Sequence, residues 1–346
     1  MNSLNSVHSH GFHNTVSAPV AQYTTFTNIT SQTYTVTKKI AGLSSTTYIN
    51  NNGGSNGCVA VNMVQTKMLY GTAQGLWYAT SSDAGVTWSG LTLLQSATPS
   101  GNQGGSCQIS ADGTKGLFYC NGNFLYYINW TAATPTISTI SSTVSFSWSS
   151  ISMTPDGLKA VFGGNGTAAY YTTWNASTLT YNTPGIFNYG SNLTVPHMAI
   201  AITPDGTRLM ADNAGTSGSY IGYLTISSWS TGNTPVPTIT TNWQPLGSGT
   251  NLNLNGGSMC FLGGNTTTAS TNVLGMNVGG AIYIYTWNNT TNALTYSFTP
   301  VTSTGLWDFG VQPSGTGGNV IYFIENTSSG TVTNTFNISS ITLTTS

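Results

Sequence analysis

Charge is what this chain has least of: six lysines and arginines and seven carboxylates among 346 residues, or 4%, against roughly 25% in ordinary soluble domains. Without clustered Lys and Arg nothing can neutralise a phosphate backbone, so no nucleic-acid partner is expected. Polybasic attraction to anionic lipid is excluded for the same reason. Apolar runs of membrane-spanning length are absent too, so no membrane insertion is expected. The start, "MNSLNSVHSHGFHNTVSAPV", has neither a basic n-region nor an apolar h-region, and no secretory signal peptide is expected. The four cysteines show no C-x-x-C spacing, which argues against a zinc site. No G-x-x-x-x-G-K phosphate loop occurs, and no cofactor is predicted.

What remains is a Ser/Thr/Asn/Gly-rich chain in which 38% of residues are still hydrophobic, too many and too regularly spaced for a disordered stalk. No 3.6-residue apolar period persists over three turns, while Thr and the aromatics are abundant, so the class is all-β. Four segments read alike: "CQISADGTKGLFYCNG" from Cys107, "ISMTPDGLKAVFGGNG" from Ile151, "AIAITPDGTRLMADNAG" from Ala199 and "FGVQPSGTGGNVIYFIEN" from Phe309. Each is a strand, an Asp-Gly or Ser-Gly turn, and a second strand, because those dipeptides supply the short polar side chain and the positive φ a hairpin needs. Two more fit with altered turns, "CVAVNMVQTKMLYG" from Cys58 and "MCFLGGNTTTASTNVLGMNVG" from Met259. The turns recur about every 44 to 60 residues, the length of a four-stranded propeller blade. Third strands follow at "GLWYATS", "NFLYYINW", "AAYYTTW", "GSYIGYLTI", "AIYIYTW" and "TVTNTFNI".

The phrases "TPDGLKAVFGG" and "AITPDGTRLMADN" resemble the YVTN and WD40-like (TolB-type) propeller repeats. The resemblance runs over residues 58 to 325 and is strong in blades two to four. It implies a six-bladed β-propeller of four-stranded antiparallel blades and leaves activity open, since that fold hosts binding scaffolds, lactonases and surface-layer proteins. "QTYTVTKKIAG" reads as a single outer strand that closes the ring on the last blade. Residues 1–19 are then a flexible arm and residues 20–346 one propeller domain; a seventh, degenerate blade from residues 20–57 is the alternative.

One stretch, "SSDAGVTW" at 81–88, resembles the Asp-box turn of sialidase-type propellers. Read from its residues, Ser81, Asp83, Gly85, Thr87 and Trp88 form a structural turn between third and fourth strands. Asp83 accepts from its own backbone, Gly85 takes positive φ, and Trp88 packs between blades. Sialidases clamp a carboxylate with three arginines, a bidentate task lysine does poorly. This chain has one, Arg208, at a turn position of the repeat.

Turns also account for Asp112, Asp156 and Asp205, which leaves Asp212, Asp308 and Glu325 for paired-carboxylate chemistry. A Ser-His-Asp triad would draw on His197 with Asp308 as its orienter, with no serine singled out. The approaches to the first strands divide into two groups. "NNGGSNGC", "NQGGSC" and "NLNGGSMC" bring glycine to the crowded axis and put Cys58, Cys107 and Cys260 at nearly equivalent positions. The other three carry Trp148, His197, and Trp307 with Asp308, which would ring one mouth of the central channel. Aromatic faces with a few polar groups suit a sugar or small ligand; the competing reading is that the tryptophans fill the channel. His8, His10 and His13 are weak metal candidates with no fourth ligand nearby. Cys107 and Cys120 flank one hairpin, where either a disulfide or buried free thiols would fit. About ten Asn-X-Ser/Thr sequons, including Asn28, Asn129, Asn165, Asn175, Asn192 and Asn265, are near chance in so Ser/Thr-rich a chain.

These features point to a non-enzymatic propeller at an exterior surface: a structural, decoration or attachment protein of a virion or extracellular assembly, partnered by other protein subunits or surface glycans. The alternative is a saccharide- or lactone-processing enzyme acting at the channel mouth through His197 and Asp308.

Overall fold

The computed structural model describes residues 37–44, 58–72, 74–96, 105–120, 124–141, 150–163, 169–187, 199–215, 218–240, 244–246, 259–264, 271–278, 281–302, 320–326 and 335–342. They form six antiparallel sheets arranged as the blades of a propeller. Blade one runs Cys58–Val61, Lys67–Thr72, Gly75–Thr80 and Thr92–Ser96; blade two runs Ser106–Ile109, Lys115–Cys120, Phe124–Asn129 and Thr136–Ser141. In blade three, Ile151–Met153, Lys159–Phe162 and Tyr170–Asn175 are followed by two short outer pieces, Thr180–Tyr181 and Gly185–Ile186, both paired to the third strand. Blade four is built likewise from Ile200–Ile202, Arg208–Gly215 and Gly218–Trp229, with Pro237–Ile239 and Gln244–Pro245 outside. Blade five runs Met259–Gly264, Thr271–Val278, Ala281–Asn288 and Ala293–Thr302.

Blade six joins the two halves of the chain. Val320–Asn326 pairs with Thr335–Thr342, and that strand pairs on its other side with Thr37–Ser44, so an early strand closes the ring as its pattern suggested. Six blades are observed. The segment expected to supply this blade's first strand, from Phe309, lies outside the described residues.

The inner strands of the blades are buried on both faces, which is why several of them read as nearly continuous apolar runs, while the outer strands are largely exposed. In blade one, Val59, Val61, Met68, Tyr70 and Trp77 pack on Val320, Tyr322, Ile324, Phe336 and Ile338 of blade six. The alternate residues Cys58, Ala60, Leu69 and Leu76 pack on Cys107, Ile109, Phe118, Ile128 and Trp130 of blade two. The same alternation joins blades two and three, three and four, and four and five.

The first turns of successive blades touch through backbone. Met63 N–H donates to Ala111 O at 3.0 Å, and Ala111 N–H donates to Pro155 O at 2.8 Å. Gly157 therefore has two reasons to be glycine: φ is +68°, and an added Cβ would stand 2.9 Å from Ser110 Cβ of the preceding blade. Gly42, at a bulge of the closing strand, has the same φ of +68° but open space around it. Substituting Gly42→Ala should cost about 1 kcal/mol, the strain of a left-handed alanine, whereas Gly157→Ala should cost about twice that because the joint must also open. Urea unfolding of the two variants checks the difference.

Candidate functional site

An up-and-down blade puts the turn between strands one and two, and that between strands three and four, on the same face of the ring. On this face almost every described charge has a structural use. Ser110, Thr154 and Thr203 each donate a hydroxyl proton to Asp112, Asp156 and Asp205 at 2.6 Å. The same carboxylates accept the N–H of Thr114, Leu158 and Thr207 at 2.9–3.0 Å. In blade one the turn has no Asp-Gly: Asn62 Oδ1 accepts the N–H of both Thr66 and Lys67 at 2.8 Å, and Gln65 itself takes φ 55°.

In blades one to four a basic residue opens the second strand and reaches into the next blade. Lys67 Nζ donates to Gly113 O at 3.0 Å and Trp130 O at 2.6 Å, and lies 5.4 Å above the Trp130 ring. Burial lowers its pKa, against the opposing pull of Asp112. Lys115 lies 5.3 Å above Trp174, and Lys159 5.6 Å above Trp229. Arg208 takes the same part at the fourth joint, where its Nε donates to Asn292 Oδ1 at 3.2 Å and its NH2 nitrogen to Asn289 O at 3.4 Å. The chain's one arginine is thus committed to the ring, away from any carboxylate clamp.

The 81–88 turn lies between the third and fourth strands of blade one. Asp83 accepts from Ser81 Oγ at 2.7 Å, from Thr87 N–H at 2.9 Å and from Thr87 Oγ1 at 2.6 Å. Those bonds, Thr87's first, hold its carboxyl down at about 2 although it is fully exposed. For Asp112, burial pushes upward but hydrogen bonds from Ser110 and Thr114 outweigh it, so this carboxyl too sits below its ordinary value. Gly85 has φ 79°, and a Cβ on it would stand 2.6 Å from Tyr322 Oη of blade six. Its carbonyl accepts from Lys39 Nζ of the closing strand at 2.7 Å. Trp88 meets the Tyr322 ring edge-on at 6.0 Å, and Tyr322 Oη donates to Gln65 Oε1 at 2.7 Å. The turn therefore seals the joint between the first and last blades.

Trp148, His197, Trp307 and Asp308 lie outside the described residues. Strand register in blades two to four gives a common count for two of them: Ile109, Met153 and Ile202 pair with Gly116, Ala160 and Leu209, the residues just after the blade's basic one. On that register Trp148 and His197 occupy the same repeat position as Gly104, and its neighbour Gly105 is packed so closely that a Cβ would fall on the Thr72 backbone of blade one. His8, His10, His13 and the side chains of Asp212 and Glu325 also lie outside the described residues. Among those described, no three His, Cys, Asp or Glu side chains gather as a metal site would require. Residues 53–57, "GGSNG", spell G-x-S-x-G; a strand at Cys58–Val61 follows, whereas a nucleophile elbow leads into a helix.

Two cysteine expectations are corrected. Cys107 stands opposite Phe118 in its hairpin, two positions short of Cys120, because the turn is shorter than a Cys107–Cys120 pairing needs. Nor are the three buried cysteines equivalent. Cys58 shares its repeat position with Ser106 and Ser150, while Cys107 falls one residue later, with Val59 and Ile151. Cys260 lies between Met259 and Phe261, which pack toward blade four, so it faces the other way. Cys58, Cys107 and Cys260 are free thiols.

No protein-family model matches this chain, and no curated protein matches its sequence. Among solved structures it is similar to a functionally unknown protein from Desulfotomaculum acetoxidans (13% identity, 86% of this chain and 90% of that one, TM-score 0.49). It is also similar to TolB from Acinetobacter baumannii (13%, 84% and 64%, TM-score 0.45) and to the β-propeller domain of Cps50 (Swd1) from Myceliophteria thermophila (10%, 91% and 98%, TM-score 0.45). The propeller assignment rests on the strand pairing itself.

Two outcomes follow for the charged groups. Lys67→Met, which strands two carbonyls at a joint, should cost about 2 kcal/mol, and Lys159→Met, which removes a ring contact, about 1 kcal/mol; urea midpoints at constant slope measure both. A carboxyl depressed when folded stabilises fully above its unfolded pKa, about 3.9, and loses that contribution as pH falls through the folded value. For Asp83 the window runs from about pH 4 down to about 2. Thermal melts across it should fall less steeply for Asp83→Asn than for the native chain.

Proposed function

We propose that this chain is a non-enzymatic β-propeller working as an exterior structural, decoration or attachment protein of a virion or extracellular assembly. Its partners are neighbouring protein subunits or surface glycans. The observation that carries the reading is how the charge is used. Asp83, Asp112, Asp156 and Asp205 are taken up by their own turns. Lys39, Lys67, Lys115, Lys159 and Arg208 are taken up by the joints between blades. Among the described side chains little charge is left for proton transfer or for long-range electrostatics. The surface is one of hydroxyls and amides, which resists nonspecific ionic adsorption and offers hydrogen bonds to sugars. In this reading Trp148 and Trp307 supply stacking faces at the channel mouth, and His197 and Asp308 fix ligand orientation.

Glycan-array binding and a glycoside and lactone hydrolysis screen test it together. Binding without turnover, weakened about tenfold or more by Trp148→Ala or Trp307→Ala, is the expected result. Turnover abolished by His197→Ala or Asp308→Ala would overturn the non-enzymatic reading in favour of a saccharide- or lactone-processing enzyme.

A further inference from the structure

At the axis, the joint between blades one and two differs from those that follow it. Ser106 and Ser150, at the start of the first strand in one blade and just before it in the other, accept a backbone N–H from the next blade: Ile151 at 3.1 Å and Ile200 at 2.8 Å. In blade one that position is Cys58, whose sulfur accepts the Cys107 N–H at 2.6 Å. The receiving position, Ile in blades three and four, is here a second cysteine. The two sulfurs consequently stand 3.0 Å apart, 49 residues distant in sequence, and both side chains are buried. A bonded pair needs only about 1 Å of further approach.

We propose that Cys58 and Cys107 are an oxidation site that closes to an inter-blade disulfide, with a low-molecular-weight disulfide such as glutathione disulfide as the oxidant. The thiolate of one cysteine attacks the oxidant, forming a mixed disulfide and releasing one small thiol. The second cysteine's thiolate then attacks the protein sulfur of that mixed disulfide and releases the other. In sum, two protein thiols are oxidised to one S–S bond, and the oxidant, taking two electrons and two protons, is reduced to two small thiols. Burial keeps Cys107 protonated well above the ordinary thiol range, so exchange runs while the two blades are still docking. The finished bond is then shielded from external reductant.

The chain supplies its own assay. Trypsin, cutting after Lys39, Lys67, Lys115, Lys159 and Arg208, places Cys58, Cys107, Cys120 and Cys260 on four separate peptides: 40–67, 68–115, 116–159 and 209–346. The full chain is refolded from urea in a glutathione disulfide/glutathione buffer, its remaining thiols are alkylated, and the digest is analysed by mass spectrometry without reduction. Peptide 40–67 joined to 68–115 is expected, with a Tm about 5 °C above that of the dithiothreitol-treated protein. Cys58→Ser, which restores the acceptor used in blades two and three, should fold with the Tm of the reduced protein and show no response to the oxidant. A link that includes 116–159 or 209–346, or full alkylation of all four cysteines, would overturn the proposal. So would an oxidant-dependent Tm that survives in Cys58→Ser.

Discussion

The first four joints of the ring depend on one repeated contact: the cation that opens a blade's second strand lies across a turn of the blade after it, and at the first three also across that blade's tryptophan. Hydrophobic burial holds neighbouring sheets together but is indifferent to small slides between them. The cation fixes the slide, because its ammonium has only one place where carbonyls and an aromatic face converge. Lys67 shows the arrangement most fully, with two carbonyls and the Trp130 ring around one nitrogen. That the partners are carbonyls and rings fits a chain with so few carboxylates, and it leaves each Asp to its own turn.

At the last joint the device changes. Blade one has Ser81 where blade two has Trp130, as their matching backbone bonds to Thr66 and Thr114 show. The 81–88 turn fills that place, offering the Gly85 carbonyl to Lys39 and the Trp88 ring to Tyr322. A motif that suggests carbohydrate chemistry when read alone is, in this setting, a joint. Its sequence looks unlike the other repeats because its neighbour is reached through a strand from the far end of the fold.

Much of the fold was legible in the sequence, and for a physical reason. Asp-Gly turns, alternating strands and a fixed period are local, and local chemistry repeats visibly. Even the altered turn at Gln65 could be placed, since Lys67 aligns with Lys115. The lysine–tryptophan contacts were not legible, because each pairs residues from different repeats and neither partner is unusual where it stands. The cysteine register failed for a related reason: "GGSC" and "SNGC" look alike, but a shift of one residue turns a strand's side chain to the opposite sheet face. Of the candidate site, residue types expected at the mouth could be read from the repeat, and the described strands add the repeat position shared by Trp148 and His197.

The pairing of Thr37–Ser44 with Thr335–Thr342 also bears on how the molecule is made. A ribosome delivers the first partner almost three hundred residues before the second, and no earlier pairing can stand in for it. Throughout that interval blade one's sheet face, with Val59, Val61 and Tyr70, has no neighbour to cover it. Sheets left open during synthesis are where chains stick to one another. The Ser/Thr/Asn-rich character of the chain therefore bears first on the unfinished ring.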